Sequence, residues 1–185
     1  IGDYAFYGCT SLTSITIPNS VTSIDYDVFN SCNSLTSVTI PNSVTTIRAN
    51  AFASCSSLTS ITIPSGVTSI GYFAFQDTPW WNTYSADTSH HYGNIIYIND
   101  VAYTATSSGI TSCTFREGTV SISDYAFRDC TSLTSVTIPD SVTTIDNNTF
   151  YNCTSLTSVT IPSGVTSIGG YAFRDCTSLT SVTIP

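Results

Sequence analysis

Seven cysteines and two histidines are the side chains of this chain best suited to chemistry, and six of the cysteines share one spacing. Cys9, Cys32 and Cys55 stand 23 residues apart, as do Cys130, Cys153 and Cys176. Thiols can bridge or bind zinc, yet no Cys-x-x-Cys occurs and no histidine flanks the column, so zinc has no ligand set. Coils stacked about 4.8 Å apart would bring neighbouring cysteine Cα atoms into disulfide range. Their Cβ vectors would run parallel, which is poor geometry for closure. The column, Cys32 and Cys130 included, therefore reads as small buried hydrophobes.

His90 and His91, with Asp87, are candidates for a metal ligand set or a base. Adjacent imidazoles are hard to aim at one ion, and no second acid–base partner lies nearby, so a solvated loop is the better reading. Glu117 is the only glutamate. There is no Gly-x-Ser-x-Gly elbow, no phosphate loop and no His-Glu-x-x-His, so a triad can hardly be assembled. No enzyme activity, cofactor or metal is expected.

What must position these residues is a repeat. Leu12–Ile24, LTSITIPNSVTSI, returns as Leu35–Ile47, Leu58–Ile70, Leu133–Ile145 and Leu156–Ile168, at a step of 23 residues. A fixed step of this size predicts a solenoid in which each copy is one coil resting on the next. From its isoleucine each unit reads I-x3-A-F-x2-C-x2-L-x2-I-x-I-P-x2-V-x2. The segment L-x-x-I-x-I alternates as a strand with one buried face does, and stacked copies form a parallel sheet. Proline then removes a donor and ends the strand. Leu12, Ile15, Ile17, Phe29, Cys32, Ile40, Phe127, Cys130 and Ile138 are the expected core. The outward rows of serine and threonine, with Ser135 and Thr137 as examples, offer a uniform hydroxyl surface that could meet a repetitive ligand. They also suit any cheap, soluble exposed strand.

Residues 78–109 break the period. Thr78 takes the cysteine place, Trp81 takes the leucine place after Pro79, and both tryptophans of the chain lie here. Asn94–Ile98 and Val101–Ala105 flank Asn99-Asp100 and read as a β-hairpin. Coils resume at Ile110 with Cys113 and Phe115 at isoleucine positions, Arg116 for proline and Thr119 for valine. Trp80, Tyr84, Tyr92, Tyr97 and Tyr103 gather in this insert and are the expected recognition patch, while Trp81 is expected to pack.

The L-x-x-I-x-I strand with A-F-x-x-C and I-P-x-x-V in a 23-residue frame resembles the BspA-like (Treponema pallidum type) leucine-rich repeat family. The resemblance implies a curved, right-handed coil with one parallel sheet on the concave side and short helical or irregular segments on the convex side. Family members are mostly surface or secreted proteins of host-associated microbes. That implies an extracellular adhesion module with a protein or glycan partner, met by the concave sheet and the insert. The alternative is a structural spacer or stalk that associates end to end with further copies.

The whole chain is read as one solenoid domain, with regular repeats over 1–77 and 110–185, and as a piece of a longer protein. The formal net charge is −8, with no lysine. That leaves no basic footprint for nucleic acid, and no apolar run approaches the roughly 20 residues of a membrane span.

Overall fold

The computed structural model describes residues 1–185, which divide into two compact units, Ile1–Thr88 and Ser89–Pro185. Unit 1 carries β1 (Ser23–Ile24), β2 (Ser37–Thr39), β3 (Thr46–Ile47), β4 (Ser60–Thr62), β5 (Ser69–Ile70) and the helix α1 (Pro79–Ala86). Unit 2 carries β6 (His91–Tyr92), β7 (Ile95–Ile98), β8 (Val101–Ala105), β9 (Ser112–Thr114), β10 (Ser121–Ile122), β11 (Ser135–Thr137), β12 (Thr144–Ile145), β13 (Ser158–Thr160), β14 (Ser167–Ile168) and β15 (Ser181–Thr183). No helix is long and apolar enough to cross a membrane.

Each unit is a parallel-strand solenoid, as the period predicts. The expected strand row is present: β2 pairs with β4 in unit 1, and β9, β11, β13 and β15 pair in register in unit 2. A second row was not expected. The V-T-x-I segment of each coil also pairs, so β1, β3 and β5 form one narrow sheet and β8, β10, β12 and β14 another. The single parallel sheet inferred from the sequence becomes two strand rows per unit. Threonines outside the strands tie the coils further: the Thr134, Thr157 and Thr180 hydroxyls donate to the carbonyls of Thr111, Thr134 and Thr157 at 3.1–3.3 Å.

The A-F-x-x-C segment is neither helix nor strand but a turn ladder. Two residues per coil, four apart, have φ near +57°: Asp27 and Ser31, Asn50 and Ser54, Tyr125 and Asp129, Asn148 and Asn152, Tyr171 and Asp175. Left-handed residues let alternate amides aim along the stack. Phe29 N–H donates to Ala51 O at 2.8 Å and Phe127 N–H to Thr149 O at 2.8 Å, while the amides between close i→i−3 turns. This geometry positions the phenylalanine column. Phe6, Phe29, Phe52 and Phe75 stack at 5.2–5.9 Å between centroids in unit 1, and Phe127, Phe150 and Phe173 at 5.2–5.3 Å in unit 2.

The core otherwise follows the sequence reading: Phe29, Cys32, Ile40, Phe127, Cys130 and Ile138 are buried. Leu12 and Ile15 are only half-buried, because their coil has a neighbour on one side. The column thiols donate to backbone. Cys55 Sγ reaches Phe29 O at 3.0 Å and Cys153 Sγ reaches Phe127 O at 3.1 Å, each on the preceding coil. Burial pushes the Cys55 thiol up to about 12 and the Cys130 thiol up to about 11, so both stay protonated and inert near neutrality. Cys9 differs and is exposed.

Candidate functional site

The turn ladder displays two side chains per coil, at the third and sixth positions after the isoleucine. In the last three coils of unit 2 these are Tyr125 and Arg128, Asn148 and Tyr151, and Tyr171 and Arg174. Together they line a cavity of about 330 Å³. The guanidinium of Arg128 lies 5.2 Å from the Tyr125 ring centre and 5.7 Å from that of Tyr151; Arg174 lies 5.9 Å from Tyr151 and 5.1 Å from Tyr171. Ring and cation thus alternate across three coils, each contact a cation–π attraction.

Carboxylates steady the arginines. Arg128 Nε donates to Asp129 Oδ2 at 3.1 Å, and Arg174 Nε lies 3.5 Å from Asp175 Oδ2. Asn152 of the following coil donates to the other oxygen of Asp129 at 2.8 Å. These pairs run through Nε and do not use the forked terminal amino groups, which remain the arginines' best hydrogen-bonding edge. Tyr125 and Tyr171 hold their places at φ 56° and 60°. The corresponding residues of other coils, Asp27, Asn50 and Asn148 among them, adopt the same conformation, so it belongs to the turn ladder.

None of these six residues was singled out in the sequence. A signal was available: with the copies aligned at their 23-residue step, the third and sixth columns after the isoleucine vary widely, while the strand columns hardly vary.

The insert residues fall into three groups. Trp80, Trp81 and Tyr84 lie on α1, whose N-cap is Thr78. The Thr78 hydroxyl accepts from Trp81 N–H at 3.0 Å and donates to Phe75 O at 2.8 Å. A hydroxyl caps a helix where the usual cysteine would not, which accounts for threonine in that slot. Trp80 meets the phenylalanine column, its ring 4.9 Å edge-on from Phe75, and Trp81, half-buried like Trp80, stacks on Tyr84 at 6.1 Å. Tyr84 packs on Trp80 at 4.8 Å and is half-buried.

Tyr92, on β6, is exposed. Tyr97 and Tyr103 are buried, at 2% and 6% exposure, and cannot face a ligand as expected. They lie on a hairpin that matches the expected turn, with β7 and β8 antiparallel, but β8 also pairs parallel with β10, so the hairpin serves as a coil edge.

The odd residues of the next coil serve Tyr97. Its hydroxyl meets Thr119 Oγ1 at 3.1 Å and accepts the Arg116 amide at 3.1 Å, an amide that the usual proline would lack. The Arg116 guanidinium stacks 4.4 Å from the ring and bonds Asn99 O and Asp100 Oδ1 at the hairpin turn. Ser135 and Thr137 are exposed on β11, in rows identical with Ser158 and Thr160. His91 lies in β6, paired with Ile96.

Comparison with known proteins agrees with this geometry. The family model described as "BspA type Leucine rich repeat region (6 copies)" matches residues 1–92 and 96–185. A search of curated proteins finds no match. Among solved structures, a leucine rich repeat protein of T. pallidum is 27% identical, with 89% of this chain and 53% of that one covered and a TM-score of 0.32. A leucine rich cell surface protein of Faecalibacterium prausnitzii is 26% identical, with 98% and 68% covered and a TM-score of 0.44. The pneumococcal vaccine antigen PcpA is 16% identical, with 88% and 53% covered and a TM-score of 0.43. The chain thus spans about half the length of the first and third of these, 53% in each case. With the family model matched over nearly its full length, the chain belongs to the BspA-type leucine-rich repeat family.

Proposed function

We propose that this chain is a non-catalytic recognition module of the cell exterior, and that it holds a protein or glycan partner against the turn face of unit 2. The observation that carries this reading is the convergence of two of the chain's four arginines and three tyrosines on one cavity. Tyrosine and arginine supply much of the energy of most binding surfaces, tyrosine through large contact area at small entropic cost and arginine through its planar fork of donors. The uniform hydroxyl rows at Ser135 and Thr137 offer only weak net hydrogen bonds by comparison. The insert contributes the exposed Tyr92, but its remaining tyrosines are half-buried or buried and hold the coils together.

The exterior location is supported by the BspA-type family, whose members are mostly surface or secreted proteins. A spacer role is the second reading. It is favoured by the two middle coils of unit 1, where Asp27, Asn30, Asn50 and Ala53 present nothing distinctive on the turn face.

An array of extracellular matrix proteins and glycans, probed with the chain and with an Arg128→Gln/Arg174→Gln double variant, separates the two. Recognition predicts spots that the double variant loses. A spacer predicts no spots, and spots that the double variant keeps would move recognition to another surface.

A further inference from the structure

Resting on the reading of the turn face as the recognition surface, we infer that the Tyr125–Arg128–Tyr151–Tyr171–Arg174 cavity binds a linear, uncharged oligosaccharide laid along the direction in which the coils stack. The charge balance narrows the ligand first. Each arginine is already paired with the next residue, Asp129 or Asp175, so the cavity is locally close to neutral. The whole chain carries −8. A polyanion such as a sulfated glycan or an acidic peptide would meet no net attraction at close range and repulsion at long range.

The lining narrows it again. Six side chains form the walls, and none is aliphatic. An apolar peptide anchor would therefore leave polar groups unpaired, at a cost no contact there offsets. What remains is a ligand with a ring face of C–H groups and an edge of hydroxyls. Tyrosine rings offer the flat partner for the face. Each sugar hydroxyl both donates and accepts, and the lining offers guanidinium donors and the Asn148 amide, with the Asp129 carboxylate paired to Arg128 beside it.

Spacing supplies the last argument. From coil to coil, the guanidinium groups of Arg128 and Arg174 lie 5.7 and 5.9 Å from the Tyr151 ring centre between them. The coils themselves repeat at about 4.8 Å, close to the length of one pyranose along a chain. An oligosaccharide on this axis meets Arg128, Tyr151 and Arg174 in turn on successive coils.

The test uses calorimetry of the 185-residue chain with cellohexaose, mannohexaose, xylohexaose and chitohexaose, their disaccharides, a heparin hexasaccharide and hexaglutamate. The inference expects at least one neutral hexasaccharide to bind, with affinity at least about tenfold above its disaccharide. Tyr151→Ala should weaken that binding by at least about tenfold, with an unchanged melting temperature, because Tyr151 stands between both guanidinium groups. Tyr151→Phe should keep most of it if stacking is the main contact. Asn50→Ala, on the turn face of unit 1, should change nothing.

Binding of heparin or hexaglutamate alone, or of no probe, overturns the saccharide inference. If the matrix-protein spots of the preceding array still depend on Arg128 and Arg174, the recognition reading survives that failure. If those spots are indifferent to the double variant, both fall.

Discussion

The turn ladders of the two units share a backbone and differ in what they display. In unit 1 Asp27, Phe29 and Ser31 donate to Ala49, Ala51 and Ala53 at 3.1, 2.8 and 2.9 Å. In unit 2 Tyr125, Phe127 and Asp129 donate to Asn147, Thr149 and Tyr151 at the same three distances. Both ladders stack phenylalanine behind the turn. In front of it, the two middle coils of unit 1 show only Asp27, Asn30, Asn50 and Ala53, with Tyr4 and Tyr7 in the coil before and Phe73 in the coil after, and unit 2 shows an alternating row of tyrosine and arginine. The difference teaches where this fold allows variety. Strand positions must pack and pair, whereas the third and sixth turn positions are held by a backbone that does not depend on their side chains.

The largest expected effect tests whether the frame is shared. Ile40 in unit 1 and Ile138 in unit 2 are buried at 2% and 5% exposure, after the strand in each case. Ile40→Asp and Ile138→Asp should each unfold their neighbouring coils, since an unpaired buried carboxylate costs several kcal/mol. Circular dichroism melts should show comparable losses in both. A folded Ile40→Asp variant beside an unfolded Ile138→Asp one would mean the two units are not built alike.

A smaller effect is confined to unit 2, where the insert is locked. Thr119→Val restores the repeat consensus but leaves the buried Tyr97 hydroxyl with one partner fewer, and should cost about 1–3 kcal/mol in a chemical denaturation curve. Tyr97→Phe removes both the need and the group, so the double variant should recover part of the loss. If Thr119→Val proves stabilising, consensus packing outweighs the hydroxyl network.

Much of this was legible in the sequence and some was not, for physical reasons. The 23-residue period, the Phe29, Cys32 and Ile40 columns and the hairpin around Asn99-Asp100 each follow from periodicity or turn chemistry. The second strand row is two residues wide, too short for any alternation to show. Left-handed turns are announced by glycine or asparagine, and here tyrosine and serine often occupy them. Tyr97 and Tyr103 looked exposed because a hairpin has two faces, and nothing local reveals that β8 also pairs with a following coil. The cavity was hidden most deeply: Arg128 and Arg174 are two coils apart and converge only through stacking.

Asp124 gives the third difference between the units. It sits at the second turn position, where unit 1 has the exposed Asp3 and the uncharged Tyr26, Ala49 and Tyr72. Burial pushes its carboxyl up to about 6, with Asp146 adding to the rise and the Asn148 hydrogen bond opposing it. One of its oxygens, Oδ1, is buried without a hydrogen bond. The folded chain therefore takes up this proton before the unfolded one does, whose carboxyl titrates near 3.8. Stability should rise as pH falls from 7 toward 5, and Asp124→Asn should flatten that part of the melting-temperature profile. A profile unaltered by Asp124→Asn would show that the group is solvated.

The smallest effect is the one that most sharpens the contrast. Arg128 and Arg174 pair with their neighbouring aspartates at the surface, with side chains 41% and 55% exposed. Exposed pairs of this kind are worth roughly 0–1 kcal/mol, because solvent screens them and two long side chains must be held still. Arg128→Gln and Arg174→Gln should accordingly leave the denaturation midpoint close to that of the parent, as should Gln76→Ala at the sixth turn position of a unit 1 coil. If the arginine variants instead lose several times more stability than Gln76→Ala, the tyrosine–arginine row is part of the frame. It would then be a set of staples between coils, and the variety at the third and sixth positions would record how each coil is fastened to the next.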